Sequence, residues 1–371
     1  MHTLSKNVYM MKSNNVLDSG VKTFKPHLEI MRIIAIFFVI FNHTGYEGFF
    51  LFYNYEPTTF SYWFYMILSV FCKFSVPLFF AISGALLLTK EESLEKLFTH
   101  RILRMISILI LISFWYYINY LLMSKENFNL TDFFKNFILN NGYYWNATLW
   151  FMYTFTIYLL LLPFLRAMVK DLNEKFYYYG IVIHLVFMSL FPMIYYYMGE
   201  QIYTFSLMEK SAFLSIFPIL GFYLEYRLSM ESLNIKRILY LWVMNIIAIC
   251  ISCGLTHLKF QNTGIHIEDF HNSFVILNCI VIYITVKYFC CRVHFTERLL
   301  KFLLSIGKCT LGIYLFHISI MILLSNMGYF EFFHRHLNHF FTIFIFCLLV
   351  FVIGCLITLI LKRIPVIGKL I

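Results

Sequence analysis

Charge is scarce in this 371-residue chain: 13% of residues are Asp, Glu, Lys or Arg against 61% hydrophobic, and the mean hydropathy is +0.75. That composition excludes an ordinary soluble globule, which needs more polar surface than this to cover its core. Acidic residues are the scarcer sign, 19 against 29 Lys and Arg. None of the nine cysteines falls in an expected external loop, so no disulfide framework is implied. Cys250 and Cys253 have the spacing of a metal or redox pair, but they sit in an apolar run without a second ligand pair. The first 27 residues lack the apolar core and small-residue cleavage site of a signal peptide. Internal repeats and low-complexity linkers are missing, which leaves a single domain. Alternating strands do not dominate, which argues against a transmembrane β-barrel.

What the chain does have is long apolar runs. Ten of them approach the roughly 20 residues that a helix needs to cross a bilayer. They cover about 28–50, 62–89, 105–123, 148–167, 177–198, 211–227, 238–257, 271–289, 309–327 and 340–361. The fold class expected is therefore all-α: a polytopic membrane helix bundle of about ten transmembrane helices in contact with lipid. With the N-terminus inside, the inner segments hold 23 of the 29 basic residues and the outer ones five, Lys125, Lys135, Lys210, Lys259 and Arg335; Lys73 lies mid-span. Basic residues collect on the cytoplasmic side, so both termini are expected there, in a cell (plasma or inner) membrane. The expected organisation is a flexible cytoplasmic arm over residues 1–27, a transmembrane domain over 28–361 and a cytoplasmic tail over 362–371. The formal charge of +10 is then a matter of topology and calls for no nucleic-acid partner.

Two ionisable residues break the pattern. Arg32 and His43 bracket the run Ile33 to Phe41, which is too short to cross a bilayer alone. Eleven residues bring a helix back to within about 20° of the same face, roughly 16 Å further along its axis. Ionisable groups at membrane depth are costly unless they meet a partner or a cavity, so the pair is a functional candidate; the plainer reading is a snorkelling Arg and an interfacial His. A second feature is Ser75-Val76-Pro77-Leu78-Phe79-Phe80-Ala81-Ile82-Ser83-Gly84, where Pro77 should kink the second span. Ser83 and Gly84 there offer a small, close-packing surface. A third is His100-Arg101-Ile102-Leu103-Arg104, with two guanidiniums three residues apart at a helix start, suited to phosphate as well as to topology.

In order and spacing these features resemble the acyltransferase-3 family of integral membrane acyltransferases. The matched pieces are Glu29 with the Arg32-to-His43 spacing, the Val76-Pro77-Leu78-Phe79-Phe80 to Ser83-Gly84 segment, and Arg101-x-x-Arg104. The resemblance continues through Leu149-Trp150-Phe151-Met152-Tyr153, Tyr158 and Pro163, and Leu311-Gly312-Ile313-Tyr314-Leu315-Phe316-His317, over about residues 28 to 361. Relatives often have Asp-Gly-Leu-Arg where this chain has Glu29-Ile30-Met31-Arg32.

The resemblance implies transfer of an acyl group, usually acetyl, from cytoplasmic acyl-CoA to a hydroxyl of an extracytoplasmic or lipid-linked glycan. Acyl-CoA (acetyl-CoA) is the donor, and no metal or bound cofactor is implied. His43 is the expected general base or transient acyl acceptor. Arg32 is expected to hold the donor's pantetheine or phosphate end, or to stabilise charge on the thioester oxygen, with Glu29 orienting it. Arg101 and Arg104 are expected at the CoA phosphates, with Ser83 beside the cofactor. Trp150, Tyr153 and His317 are candidates for the acceptor, though an aromatic belt explains the first two and a packing residue the third. No external segment exceeds about 25 residues, so the hydrolase-like domain of some relatives is not expected; the acceptor is acylated directly or through a separate extracytoplasmic transferase. The main rival is a transporter or flippase of a glycan or acylated substrate, which also uses broken helices and buried charges.

Overall fold

The computed structural model describes residues 25–139, 145–198, 216–263 and 273–371, and the statements below refer to these. Most of the expected N-terminal arm, including Lys6, Lys12 and Lys22, and the outer Lys210 lie outside them. The described residues are helical with no strand.

In chain order the main helices are α1 (Pro26–Asn42), α2 (Phe60–Cys72), α3 (Ser75–Leu87), α4 (Leu94–Ser124), α5 (Leu130–Leu139), α6 (Trp150–Lys170) and α7 (Glu174–Ile194). There follow α8 (Ile216–Phe222), α9 (Ile235–Thr263), α10 (Val275–Cys290), α11 (Glu297–Gly307), α12 (Thr310–Asn326), α13 (Tyr329–His334), α14 (His339–Leu361) and α15 (Pro365–Leu370). Six helical segments, α2 with α3 counted as one, are long and apolar enough to cross a membrane. The pair α11 and α12, bent by 54°, brings the number to as many as seven. The ten runs of the sequence reading exceed this because α1 has 17 residues, α10 has 16 and α8 begins where the described residues resume.

Local chemistry sets the boundaries. Pro26 opens α1, where its missing N–H costs no helical bond, and Glu29 lies in the positively polarised first turn. Thr59, Asn338 and Thr296 cap α2, α14 and α11 with their side chains. Pro77 acts four residues upstream of itself. Its ring opposes the carbonyl of Lys73 and gives it no N–H, and the helix is interrupted at Lys73–Phe74, between α2 and α3. The ladder restarts with Leu78 N–H donating to Phe74 O (2.9 Å).

Two apolar clusters meet on α1. Leu28, Met31 and Ala35 belong to one, with α3, α8 and α10; Ile36, Val39 and Ile40 belong to the other, with α2, α12 and α14. Lipid tails are as apolar as leucine, so helices associate in a bilayer through close fit rather than through escape from water. Glycine supplies that fit. A Cβ at Gly84 would lie 1.9 Å from Pro218 O, and one at Gly221 would lie 1.9 Å from Ala81 O, so α3 and α8 touch backbone to backbone. Gly84→Ala is therefore expected to cost at least about 2 kcal/mol, since backbone cannot yield as a side-chain tip does. A lowered Tm in detergent checks it, with Gly254→Ala, whose Cβ would meet nothing within 4 Å, as the neutral control.

Candidate functional site

Contacts sort the molecule into two ends. A basic end gathers the start of α1, the last residues of α3, α6 and α10, and the start of α4; the far end holds His43, Tyr62 with His257, and His334 with Glu47. The candidate site divides between them.

Toward the far end, α1 stops at His43, whose backbone N–H donates to Ile40 O (3.0 Å). Asn42 pins this stop to the break between α2 and α3. Its Nδ2 donates to Ser75 Oγ (3.0 Å) and Cys72 O (3.3 Å), and Cys72 Sγ donates to Asn42 Oδ1 (3.1 Å). The His43 side chain is exposed. Behind it stands His317 of α12, fully buried, with ring centroids 5.2 Å apart. His317 Nδ1 lies 2.6 Å from Tyr314 O. A carbonyl only accepts, so Nδ1 carries the proton and the Nε2 lone pair is open when the ring is neutral. Nε2 is buried with no hydrogen-bond partner among the described residues. Tyr314 is itself tied by its hydroxyl to Thr148 O, and Tyr116 donates to Leu315 O (2.9 Å), so α12 is held rigidly here. Lys73, in the break, places its ammonium 4.5 Å from the Phe49 ring centroid.

At the basic end, Arg32 NH1 donates to both oxygens of Glu29 (2.8 and 3.0 Å). The carboxylate rests over Gly307, where a Cβ would come within 1.9 Å of Glu29 Oε2. The Arg32 and His43 ends of their shared face are separated by Ile36 and Val39, buried to 0% and 2% exposure. An apolar crevice of about 180 Å³ lies on the opposite side of α1, lined by Ile34, Phe38, Phe71, Phe74, Trp242 and Val286 among others.

Arg101 and Arg104 part company. A π-turn over Phe98–Ile102 widens the helix where Arg101 sits, and the two side chains find different partners. Arg101 grips Glu92 through Nε (2.8 Å to Oε1) and NH2 (3.1 Å to Oε2). Arg104 Nε donates to Leu370 O (2.8 Å). Arg166 of α6 completes the Glu92 cluster, with NH2 2.6 Å from Oε1 and Nε donating to Leu87 O (3.0 Å). Burial works against the charge of Glu92, yet hydrogen bonds from Arg101 and Arg166 overcome it and hold the carboxyl down at about 2.

Other sequence candidates also have partners within the bundle. Ser83 Oγ donates to Phe79 O within its own helix (2.8 Å). Trp150 packs against the first apolar cluster, and Tyr153 donates to Phe137 O (2.9 Å), joining α6 to α5. In the stretch between α12 and α14, His334 bonds Glu47 (2.9 Å) and meets His339 with the rings tilted (4.4 Å between centroids), while His336 turns to Phe332 O.

Sequence reasoning missed Glu92 and Arg166, and also Glu225. This last carboxylate, almost fully buried, receives Lys25 (2.8 Å), His27 Nε2 (3.0 Å) and the Tyr283 hydroxyl (2.9 Å). Lys287, 3.7 Å from the carboxylate, also donates to Leu224 O and Glu225 O. An acidic residue inside the apolar run 211–227 was the available signal.

Residues 26–360 match the acyltransferase-3 family model, described as an acyltransferase domain. No curated protein and no solved structure matches the chain.

Proposed function

Since the chain belongs to the acyltransferase-3 family and is an acyltransferase for groups other than aminoacyl, we propose that it is a multi-pass membrane O-acyltransferase. It takes an acyl group, acetyl in the simplest case, from acyl-CoA on the cytoplasmic side. The acceptor is a hydroxyl of an extracytoplasmic or lipid-linked glycan. The ten-span reading with both termini cytoplasmic belongs to the same proposal, and the basic-residue bias supports it. The observation that carries the reading is the meeting of His43 and His317, from helices 274 positions apart, at the far end of the helix that bears Arg32.

The chemistry suits that pair. The acceptor hydroxyl loses its proton to an imidazole, its oxygen attacks the thioester carbonyl carbon, the C–S bond breaks, and the thiolate takes up a proton as free CoA. His43, the exposed ring, meets the reacting groups, either as base or as transient acyl carrier. His317, with its tautomer set by Tyr314 O, offers a lone pair near enough to His43 to share the proton through one water. Arg32, held by Glu29, stands at the donor side of the same face.

Sidedness tests the proposal. In sealed vesicles of defined orientation, acetyl-CoA given only on the cytoplasmic face should label an acceptor on the other face and release CoA on the donor side. Movement of an intact glycan without CoA release would replace the enzyme with a transporter, a role for which the break at Lys73–Phe74 is equally suited.

A further inference from the structure

Acyl transfer passes through a tetrahedral intermediate that carries negative charge on the former carbonyl oxygen, and a donor that stabilises it must stand within hydrogen-bond distance of that oxygen. Arg32 does not meet this condition at His43. It starts roughly 16 Å away along α1, and its NH1 is turned back onto Glu29, one turn toward the basic end. The cation that acts electrostatically on His43 is Lys73.

Lys73 lies halfway along the 28-residue segment Phe60–Leu87, half-buried, at a depth where an ammonium is costly and marks a functional position by default. Its place is fixed from two sides. Asn42, the residue before His43, bonds Cys72 O on one side of Lys73 and Ser75 Oγ on the other, which ties the helix break to the end of α1. The ammonium itself rests 4.5 Å from the Phe49 ring centroid. Phe49, 1% exposed, belongs to the turn that follows His43: its N–H donates to Thr44 Oγ1 (2.9 Å), and that hydroxyl donates to Phe41 O (2.7 Å). The elements that end α1 at His43 therefore also carry the cation beside the His43–His317 pair. A donor held in place before the charge develops needs no reorientation when it does.

We propose that Lys73 is the oxyanion-stabilising residue of the transfer, and that Phe49 positions its ammonium. The inference rests on the acyl-transfer reading above and deepens it. As the imidazole takes the acceptor's proton, the acceptor oxygen bonds to the thioester carbon and the C=O pair moves onto oxygen, where Lys73 donates an N–H. The pair then returns, the C–S bond breaks, and the thiolate leaves with the proton from the imidazolium. Lys73 keeps its own protons throughout. Of the roles expected for Arg32, holding the donor remains.

The test uses the full-length protein in nanodiscs and two probes: CoA, and the trifluoromethyl ketone analogue of acetyl-CoA, whose tetrahedral hydrate imitates the intermediate. Wild type should hold the analogue about a hundredfold more tightly than CoA, as transition-state mimics are held. Lys73→Met should remove that advantage and slow CoA release from acetyl-CoA by about a hundredfold, the usual cost of one oxyanion donor, with the affinity for CoA itself near wild type. Lys73→Arg, which keeps the charge but sets it farther out, should recover part of both. Phe49→Leu should weaken the analogue and leave CoA alone. Should Lys73→Met insert poorly, Lys73→Gln, neutral and closer in polarity, replaces it with a smaller loss expected.

A Lys73→Met protein that binds CoA and the analogue as wild type does, with a lowered Tm, would make the lysine a structural tie and overturn the proposal. Equal weakening of CoA and the analogue would move Lys73 to donor binding and overturn it as well. In both cases wild type still releases CoA and His43→Ala does not, so the acyl-transfer reading stands. Wild type that binds CoA but releases none from acetyl-CoA, with no preference for the analogue, would overturn that reading and the proposal together.

Discussion

Alanine in place of His43 is expected to abolish measurable acyl transfer, a loss of about 10²–10⁴-fold, the usual contribution of a positioned acid–base group. The side chain is exposed at the end of α1 and meets the His317 ring, so insertion, abundance and Tm should stay near wild type. His317→Asn should lose activity comparably for a different reason. Its amide keeps a donor for Tyr314 O at the place of Nδ1 but has no imidazole lone pair to offer His43. Groups that act as a unit are not additive, so the double variant should be little worse than either single one. Turnover is read as CoA release from purified protein in nanodiscs. A well-inserted His43→Ala protein with unchanged turnover would remove the catalytic assignment, and simple multiplication of the two losses would separate the two histidines.

The second large effect concerns stability. Glu225→Ala should destabilise the protein by about 3–5 kcal/mol, because it strands the charge of Lys287 in a buried site and removes the acceptor of Tyr283. Glu225→Gln, which keeps an acceptor for the Tyr283 hydroxyl, should fall between. By contrast, breaking the exposed pair Lys301–Glu297 should change stability by about 0.5 kcal/mol at most. Thermal unfolding in one detergent, with the yield of folded protein, ranks the three. Equal Tm for Glu225→Ala and wild type would mean that the cluster contributes nothing net.

Helical class and the break caused by Pro77 were legible because each follows from local rules: apolar length and a missing N–H. The pairing of His43 with His317 was not, since nothing in the spacing of two histidines 274 residues apart says that their helices touch. Glu92 and Arg166 are 74 positions apart, and Glu225 is 198 from His27. Glu92 and Arg166 looked like ordinary end-of-helix charge, and Glu225, though set in an apolar run, had no visible partner until folding brought one to it. The Arg101–Arg104 pair misled for the opposite reason. Three-residue spacing sets two side chains on one face of a regular helix, and the π-turn makes this stretch irregular.

The packing of Ile36 and Val39 between Arg32 and His43 has an electrical consequence. A transferase that works across a bilayer must pass a reactive group without letting ions follow it. Along this face of α1, Ile36 and Val39, two aliphatic side chains with almost no accessible surface, lie between the Arg32 guanidinium and the His43 imidazole. They make α1 an insulator as well as a scaffold. They also set the condition on any motion that brings donor and acceptor together: it must open that stretch enough for an acyl arm, yet keep it too dry for a hydrated proton or sodium ion to carry current through.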